Sequence, residues 1–426
     1  MAEWTKATAL KVVDPQGSVG SNPTRSADPP GVRRRAVPRS SIRETPPVQQ
    51  TVVRGASVWR DGSWRAEDVT WRDGVLVEAG PLAGEAVIDG DGLLAVPGFI
   101  DLQCNGAVGI DLASEPERLW ELAAALPRWG VTAWLPTIVT TPPEIARRAM
   151  TVLTAGPPPG WTGAVPIGLH LEGPFLAPSK RGAHSEALLR GPALEAIDGW
   201  SSDAGISLVT LAPELDGALE VIEALTARGV IVSVGHSAAS AAESAAAVDA
   251  GATWVTHLFN AMPALHHRAP GLTGVALTDE RLHVGLIADG IHVDPTVVAI
   301  VQRTLGDRLT LVTDAVGVLG MPAGEQRLGR AEVTVGDDGV RLADGTLAGS
   351  NLSMDQAIRN LVRFTGCSRE AAIAAATEAP ARLLRDSQRG ALRPGRRADL
   401  VLLTPQLEVV ATVVGGQLAH EARRPG

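Results

Sequence analysis

Four apolar runs, VPIGLHLE (165–172), VIVSVGH (230–236), TWVTH (253–257) and RLTLVTD (308–314), each end on a side chain able to bind a metal or move a proton: Glu172, His236, His257 and Asp314. They are rich in β-branched residues and are followed by Gly, Ser, Leu or Ala, where a loop begins, so they read as strands. Chemistry placed repeatedly at strand ends is what a metal-dependent hydrolase on a β/α barrel needs, because its site is assembled from the carboxyl ends of several strands.

Four further runs have the same texture: GFIDLQ (98–103), VTAWLPT (131–137), ISLVTLAP (206–213) and HVGLIAD (283–289). The gaps carry helical periods, as in PERLWELAAALPRWG (116–130), PPEIARRAMTVLTAG (142–156), LDGALEVIEALTARG (215–229) and SAAESAAAVDAG (240–251), each closed by glycine. Eight βα units predict a (β/α)8 TIM-type barrel of the α/β class, in which parallel strands bury both faces. A doubly wound open sheet is the competing architecture, but it concentrates its site at one crevice. Functional residues on the third, fifth, sixth and eighth strands favour the barrel.

On either side the period changes. TVVRGASVW (51–59), AEDVTWRDG (66–74), VLVEAG (75–80) and AVIDGDG (86–92) alternate around Asp-Gly turns at Asp61, Asp73, Asp89 and Asp91. The texture returns in ADLVLLTP (398–405) and EVVATVVGGQ (408–417), so both ends of the chain are expected to build one small β-sandwich domain. The expected organisation is sandwich over 51–96, barrel over 97–385 and sandwich again over 386–426. Residues 1–50, rich in Pro, Ser and Arg with a basic run at Arg33, Arg34 and Arg35, show no period and are expected to be a disordered extension without a site.

With 426 residues, 45% of them hydrophobic, the chain can bury a large core unaided. A formal charge of -9 gives no field favouring nucleic acid or an anionic membrane, so neither is expected as a partner and an anionic substrate must be met by a few local cations. Two cysteines, Cys104 and Cys367, make no disulfide framework and suit the cytoplasm. No run of about 18 uncharged apolar residues is present to span a bilayer.

His236 and His257 lie 21 residues apart, about one βα repeat, which would put them on adjacent strands. With a carboxylate from Glu172 they would make three ligands for a divalent ion and leave a position open, a catalytic rather than a structural arrangement. Zinc suits this set first, with iron, cobalt or manganese as alternatives. Asp314 then reads as a general base for water at the metal, and as the acid that returns the proton to a leaving amine.

The ordered strings GLHLEGPFLAPSKRGAH (168–184), VSVGHS (232–237), THLFNAMP (256–263), RAPGLTG (268–274), IADGIHVD (287–294), LVTDA (311–315) and GTLAGSNLSM (345–354) resemble the N-acetylglucosamine-6-phosphate deacetylases of the amidohydrolase superfamily. The resemblance runs from about residue 97 to the end. It implies a barrel hydrolase that removes the acetyl group of a phosphorylated amino sugar, with Glu172, His236 and His257 as metal ligands and Asp314 as the acid/base. It also implies substrate contacts from Ala183 and His184, from Asp289, Gly290, Ile291 and His292, and from a closing loop of Leu347, Ala348 and Gly349. Asn260 and Ala261 would meet the phosphate, together with Arg268 reaching in from the other subunit of a homodimer; arginine's fork suits phosphate geometry. One departure stands out. Many amidohydrolases carry His-x-His after the first strand, where this chain has Gln103 and Asn105. Amides are poor ligands, so one metal ion per subunit is expected, with Cys104 pointing to the opposite, buried face.

Overall fold

The computed structural model describes residues 50–78, 85–329 and 331–422. The expected disordered extension lies outside the described residues, apart from its last residue, Gln50.

All eight expected strands form: β1 (Phe99–Cys104), β2 (Val131–Val139), β3 (Leu169–Glu172), β4 (Ile206–Leu211), β5 (Ile231–Val234), β6 (Trp254–Val255), β7 (His283–Leu286) and β8 (Leu309–Leu311). They pair in parallel, in chain order from β1 to β8. The sheet closes just beyond the last strand, where Ala315 bridges Cys104 in parallel, the Asp314 amide donates to the Gln103 carbonyl at 2.9 Å, and the Asn105 amide donates to that of Ala315 at 2.7 Å. Every residue of β1, β3 and β8 is buried, as a strand covered on both faces requires. Side chains alternate along a strand, so His170, two before Glu172, shares its interior side. There His170 meets the Thr210 hydroxyl at 2.7 Å, and burial pushes its pKa down to about 4, which keeps it neutral.

The four helices read from the sequence form as α1 (Leu119–Ala125), α2 (Pro143–Ala155), α3 (Ala218–Ala227) and α4 (Ala241–Asp249). α4 starts with a capping box: Ser240 Oγ accepts from the Glu243 amide at 3.2 Å and Glu243 Oε2 from the Ser240 amide at 2.7 Å. Later units add α5 (Gly271–Thr278), α6 (Pro295–Leu305), α7 (Met354–Thr365), α8 (Arg369–Ala374) and α9 (Glu378–Leu383). The third unit departs from the expected repeat. Between β3 and β4 the chain makes only 3-10 turns, at Pro178–Lys180, Glu186–Leu188 and Leu194–Ile197, because Pro174, Pro178 and Pro192 with Gly173, Gly182 and Gly191 interrupt any helical run. This long loop is free to fold over the barrel mouth.

The two ends of the chain build two sheets that face each other. One contains Gln50–Arg54, Val69–Arg72, Val75–Val77 and Glu85–Asp89; the other joins Ser57–Arg60, Ser63–Ala66 and Leu94–Pro97 to Leu400–Leu403, Val409–Val414 and Gln417–Glu421. Between them lies a core that includes Val53, Val58, Trp71, Leu400 and Val413. Asp61 and Asp73, both at φ 50°, precede Gly62 and Gly74 at φ 78° in tight hairpin turns, the backbone that Asp-Gly favours.

One element escaped the sequence reading. A three-stranded antiparallel meander, Gly324–Leu328, Ala331–Gly336 and Gly339–Leu342, is inserted between β8 and α7. Its middle strand, AEVTVG, does alternate, with Val333 and Val335 buried beside Val316, Val318 and Val340, so the signal was present in the sequence but lay between the runs read as barrel strands and those read as sandwich.

Candidate active site

Glu172, His236 and His257 converge at the carboxyl end of the barrel. His257 Nε2 lies 3.1 Å from Glu172 Oε1 and 3.0 Å from His236 Nε2, and His236 Nε2 lies 3.4 Å from the same carboxylate oxygen. Metal–ligand bonds of about 2.0 Å in a tetrahedron separate ligand atoms by roughly 3.3 Å, so this triangle has the size that one small cation requires. The Lys180 carbonyl accepts from His236 Nδ1 at 2.9 Å, which fixes the tautomer and turns the Nε2 lone pair toward the cluster.

The backbone aims these side chains. His236, His257 and Asp314 adopt φ of 48°, 26° and 48°, in the left-handed region that costs a non-glycine residue on the order of 1 kcal/mol or more. Each follows the last residue of its strand closely, and the reversal turns the side chain into the barrel mouth. Gly235 precedes His236 because a Cβ there would meet Thr256 Cγ2 at 2.5 Å.

Gln103 has a different task from a ligand. Its Nε2 donates to Glu172 Oε1 at 2.8 Å and to Asp314 Oδ1 at 3.2 Å, while its Oε1 accepts from the Thr256 hydroxyl. Asn105 Nδ2 adds a second donor to Asp314 Oδ1 at 2.8 Å. Gln103 thus bridges the two carboxylates, and Asn105 strengthens the hold on Asp314. Oδ2 of Asp314 makes no hydrogen bond with any described residue. Cys104 is buried as expected, its Sγ directed to the Gly106 carbonyl at 3.7 Å.

The electrostatics follow from this packing. Burial would raise the Glu172 carboxyl, but contacts with His184, His236 and His257 outweigh it and hold Glu172 well below the usual carboxylate range. Burial, reinforced by His184, pushes His236 down to about 4, so it is neutral near pH 7, as a ligand must be. For His257 burial acts in the same direction, yet the hydrogen bond and charge of Glu172 win and raise it. Desolvation and then the Glu172 charge push Asp314 up to about 6, a value suited to moving protons near neutrality.

A cavity of about 750 Å³ lies above these groups. Of the residues expected to contact substrate, Ala183, His184, Asn260, Ala261 and His292 line it, as do Leu347, Ala348 and Gly349. Gly349, at φ 66°, lets its loop dock against Asp314, since a Cβ there would meet Val316 Cγ1 at 2.3 Å. Asp289, Gly290 and Ile291 do not line the cavity. Asp289 instead holds His292, whose Nδ1 donates to Asp289 Oδ2 at 2.6 Å, while Oδ1 takes the Ile291 and His292 amides at 2.8 Å each. Arg268 is also outside the cavity of its own chain; it is exposed, and its guanidinium meets its neighbour His267 at 2.7 Å from Nη1 to Nε2. The sequence reading missed Thr140, whose hydroxyl donates to the Glu172 carbonyl at 3.2 Å and lies 2.9 Å from His184 Nδ1. Its position just past β2 was the available signal. It also missed Asp111 and Ser114 on one rim and Ala331 and Leu342 of the meander on the other.

A closed barrel whose mouth gathers three ligand atoms at tetrahedral spacing, and keeps one more carboxylate off that cluster, belongs to the class of metal-dependent hydrolases. The chain is a member of the amidohydrolase family, which matches residues 94–419, and within it of the N-acetylglucosamine-6-phosphate deacetylases. It is 40% identical over 395 residues to the N-acetylglucosamine-6-phosphate deacetylase of Rattus norvegicus, covering 88% of this chain and 95% of that one. It is also 40% identical over 351 residues to the N-acetylgalactosamine-6-phosphate deacetylase of Escherichia coli O157:H7, covering 82% and 93%. In three dimensions it resembles a mutant N-acetyl-D-glucosamine-6-phosphate deacetylase from Mycobacterium smegmatis in complex with N-acetyl-D-glucosamine-6-phosphate: TM-score 0.78, 33% identity, 87% of this chain and 99% of that one.

Proposed function

We propose that the protein hydrolyses the acetamido group of N-acetylglucosamine 6-phosphate, giving glucosamine 6-phosphate and acetate, as a step of amino-sugar catabolism. The observation that carries this reading is the Asp314 carboxyl beside the Glu172, His236 and His257 cluster, with Oδ1 pinned by two amides and Oδ2 left for a reacting proton. One divalent cation per chain, zinc first among the candidates, would be held by those three residues and would supply Lewis acidity and a more acidic water.

The chain's own groups do the rest. Asp314 takes the proton of the attacking water and returns it to the departing amine, one carboxyl acting twice. His292, oriented by Asp289, presents Nε2 to the acetyl oxygen, and in the doubly protonated form of the ring that nitrogen donates to the oxygen as charge builds on it. His184, Ala183 and the Leu347–Gly349 loop wall the sugar, and Asn260 and Ala261 face its phosphate. Arg268 completes the phosphate site from the second subunit of a homodimer, which fits its exposed position outside its own cavity. No helix among the described residues is long and apolar enough to cross a membrane, and both cysteines are free, in keeping with a cytoplasmic setting.

The Escherichia coli relative supports a second reading, in which the substrate is the 4-epimer, N-acetylgalactosamine 6-phosphate. Acetate release measured on N-acetylglucosamine and N-acetylgalactosamine, each with and without the 6-phosphate, separates the two. Activity confined to the phosphorylated glucosamine epimer is the expected result. No acetate from any of the four would overturn the proposal.

A further inference from the structure

On the opposite side of the molecule from the barrel mouth, a cavity of about 580 Å³ opens between the β-sandwich, α9 and the turn that follows it. Its wall includes six arginines, Arg60, Arg382, Arg385, Arg389, Arg393 and Arg396, against three acids, Asp61, Glu378 and Asp386. The wall itself carries twice as many cations as acids, and three carboxylates outside it, Glu67, Asp307 and Asp399, balance three of the arginines. Four of the arginines have a carboxylate partner: Arg60 with Glu67, Arg382 with Asp307, Arg389 with Asp386 and Asp399, and Arg393 with Asp61.

Two do not. Among the described residues the Arg396 guanidinium donates only to the Arg389 carbonyl, at 3.1 Å, and the Arg385 guanidinium makes no hydrogen bond or ion pair. Arg385 also occupies a costly position. The Arg385 and Asp386 amides donate to the carbonyls of Arg382 and Ala381, closing α9 in a Schellman turn whose left-handed residue, at φ 53°, is Arg385 where glycine is the usual choice. Trp59 supplies a ring on the same wall.

We propose that this cavity is a second ligand site, separate from the deacetylase centre, for a small phosphate ester carrying a ring. Its phosphate meets the Arg385 and Arg396 guanidinium groups, whose forks match phosphate oxygens, and its ring packs on Trp59.

The test uses the full-length, metal-loaded protein and calorimetric titration with adenosine diphosphate, glucose 6-phosphate and adenosine. Arg385→Asn removes the cation and suits the left-handed backbone, so the variant folds and keeps kcat/KM for the deacetylation within about twofold of wild type. Binding of adenosine diphosphate or glucose 6-phosphate that weakens at least tenfold in Arg385→Asn, with adenosine bound far more weakly, supports the site; the phosphate ester that binds tighter identifies its source, nucleoside or sugar. A Trp59→Leu variant should weaken the same titration while leaving turnover intact. Absence of binding by both esters, or binding that Arg385→Asn leaves unchanged, overturns the proposal.

Discussion

Replacing Asp314 by Asn separates the chemical duty of this carboxyl from its structural cost. The amide has nearly the same shape, and its oxygen takes the place of Oδ1 beneath Asn105 Nδ2 (2.8 Å) and Gln103 Nε2 (3.2 Å), so the fold persists. The group facing the cavity becomes an NH₂ that cannot accept a proton. Loss of a positioned acid/base typically lowers turnover by about 10²–10⁴-fold. Stability should move the other way. The folded-state pKa of Asp314 is raised from 3.8 to about 6, chiefly by desolvation, so the folded chain binds this proton more tightly than the unfolded one. Ionised Asp314 therefore costs stability, a cost absent below about pH 4, growing between pH 4 and 6, and constant above. At about 1.4 kcal/mol per unit the ceiling is about 3 kcal/mol, and partial exposure of the side chain reduces it to roughly 1–2. Urea denaturation of the metal-free protein should show Asn stabilising at pH 8 and neutral at pH 4, with metal binding retained. Turnover above a tenth of wild type, or the same stability difference at both pH values, would refute the reasoning.

Asn105→Ala deletes a donor that favours the ionised form of Asp314, so the acid limb of kcat/KM should move to higher pH, by up to about one unit; a pH–rate profile shows it, and a shift to lower pH would contradict it. Chelation should abolish acetate release, and one equivalent of a divalent cation per chain should restore it. At a free concentration 100 times its Kd, that cation also adds about 2.7 kcal/mol to stability, a gain that Glu172→Gln should largely remove in a thermal-shift titration. Leu208→Ala, at a fully buried site on β4 away from the chemistry, should cost about 2–5 kcal/mol in urea denaturation while the folded fraction keeps its kcat.

Much of this protein can be read along the chain because its functional side chains sit where a local pattern changes. A β-branched run that stops at His236 or Asp314 marks both the strand and its end, and a step of one βα repeat from His236 to His257 places them on neighbouring strands. Where the determinant is a contact between distant segments, the pattern is silent. Gln103 reads as a missing ligand, and only the pairing of β1 with the end of β8 shows it donating to two carboxylates. Asp289 reads as a substrate contact, and the fold turns it onto His292. The helix expected after β3 is absent because prolines and glycines dominate that stretch, although their spacing alone does not say where the resulting loop lands.

The sequence by itself determined the barrel and the side chains that end its strands, Glu172, His236, His257 and Asp314, because hydrophobic period, turn chemistry and side-chain type are local properties. The tertiary structure alone decided the sharing of Glu172 and Asp314 through Gln103, the left-handed backbone that turns His236, His257 and Asp314 inward, the placement of the meander at the mouth and the arginine-lined cavity behind the barrel. Those features depend on distances between segments remote in the chain, which closure of the barrel and packing of the sandwich set.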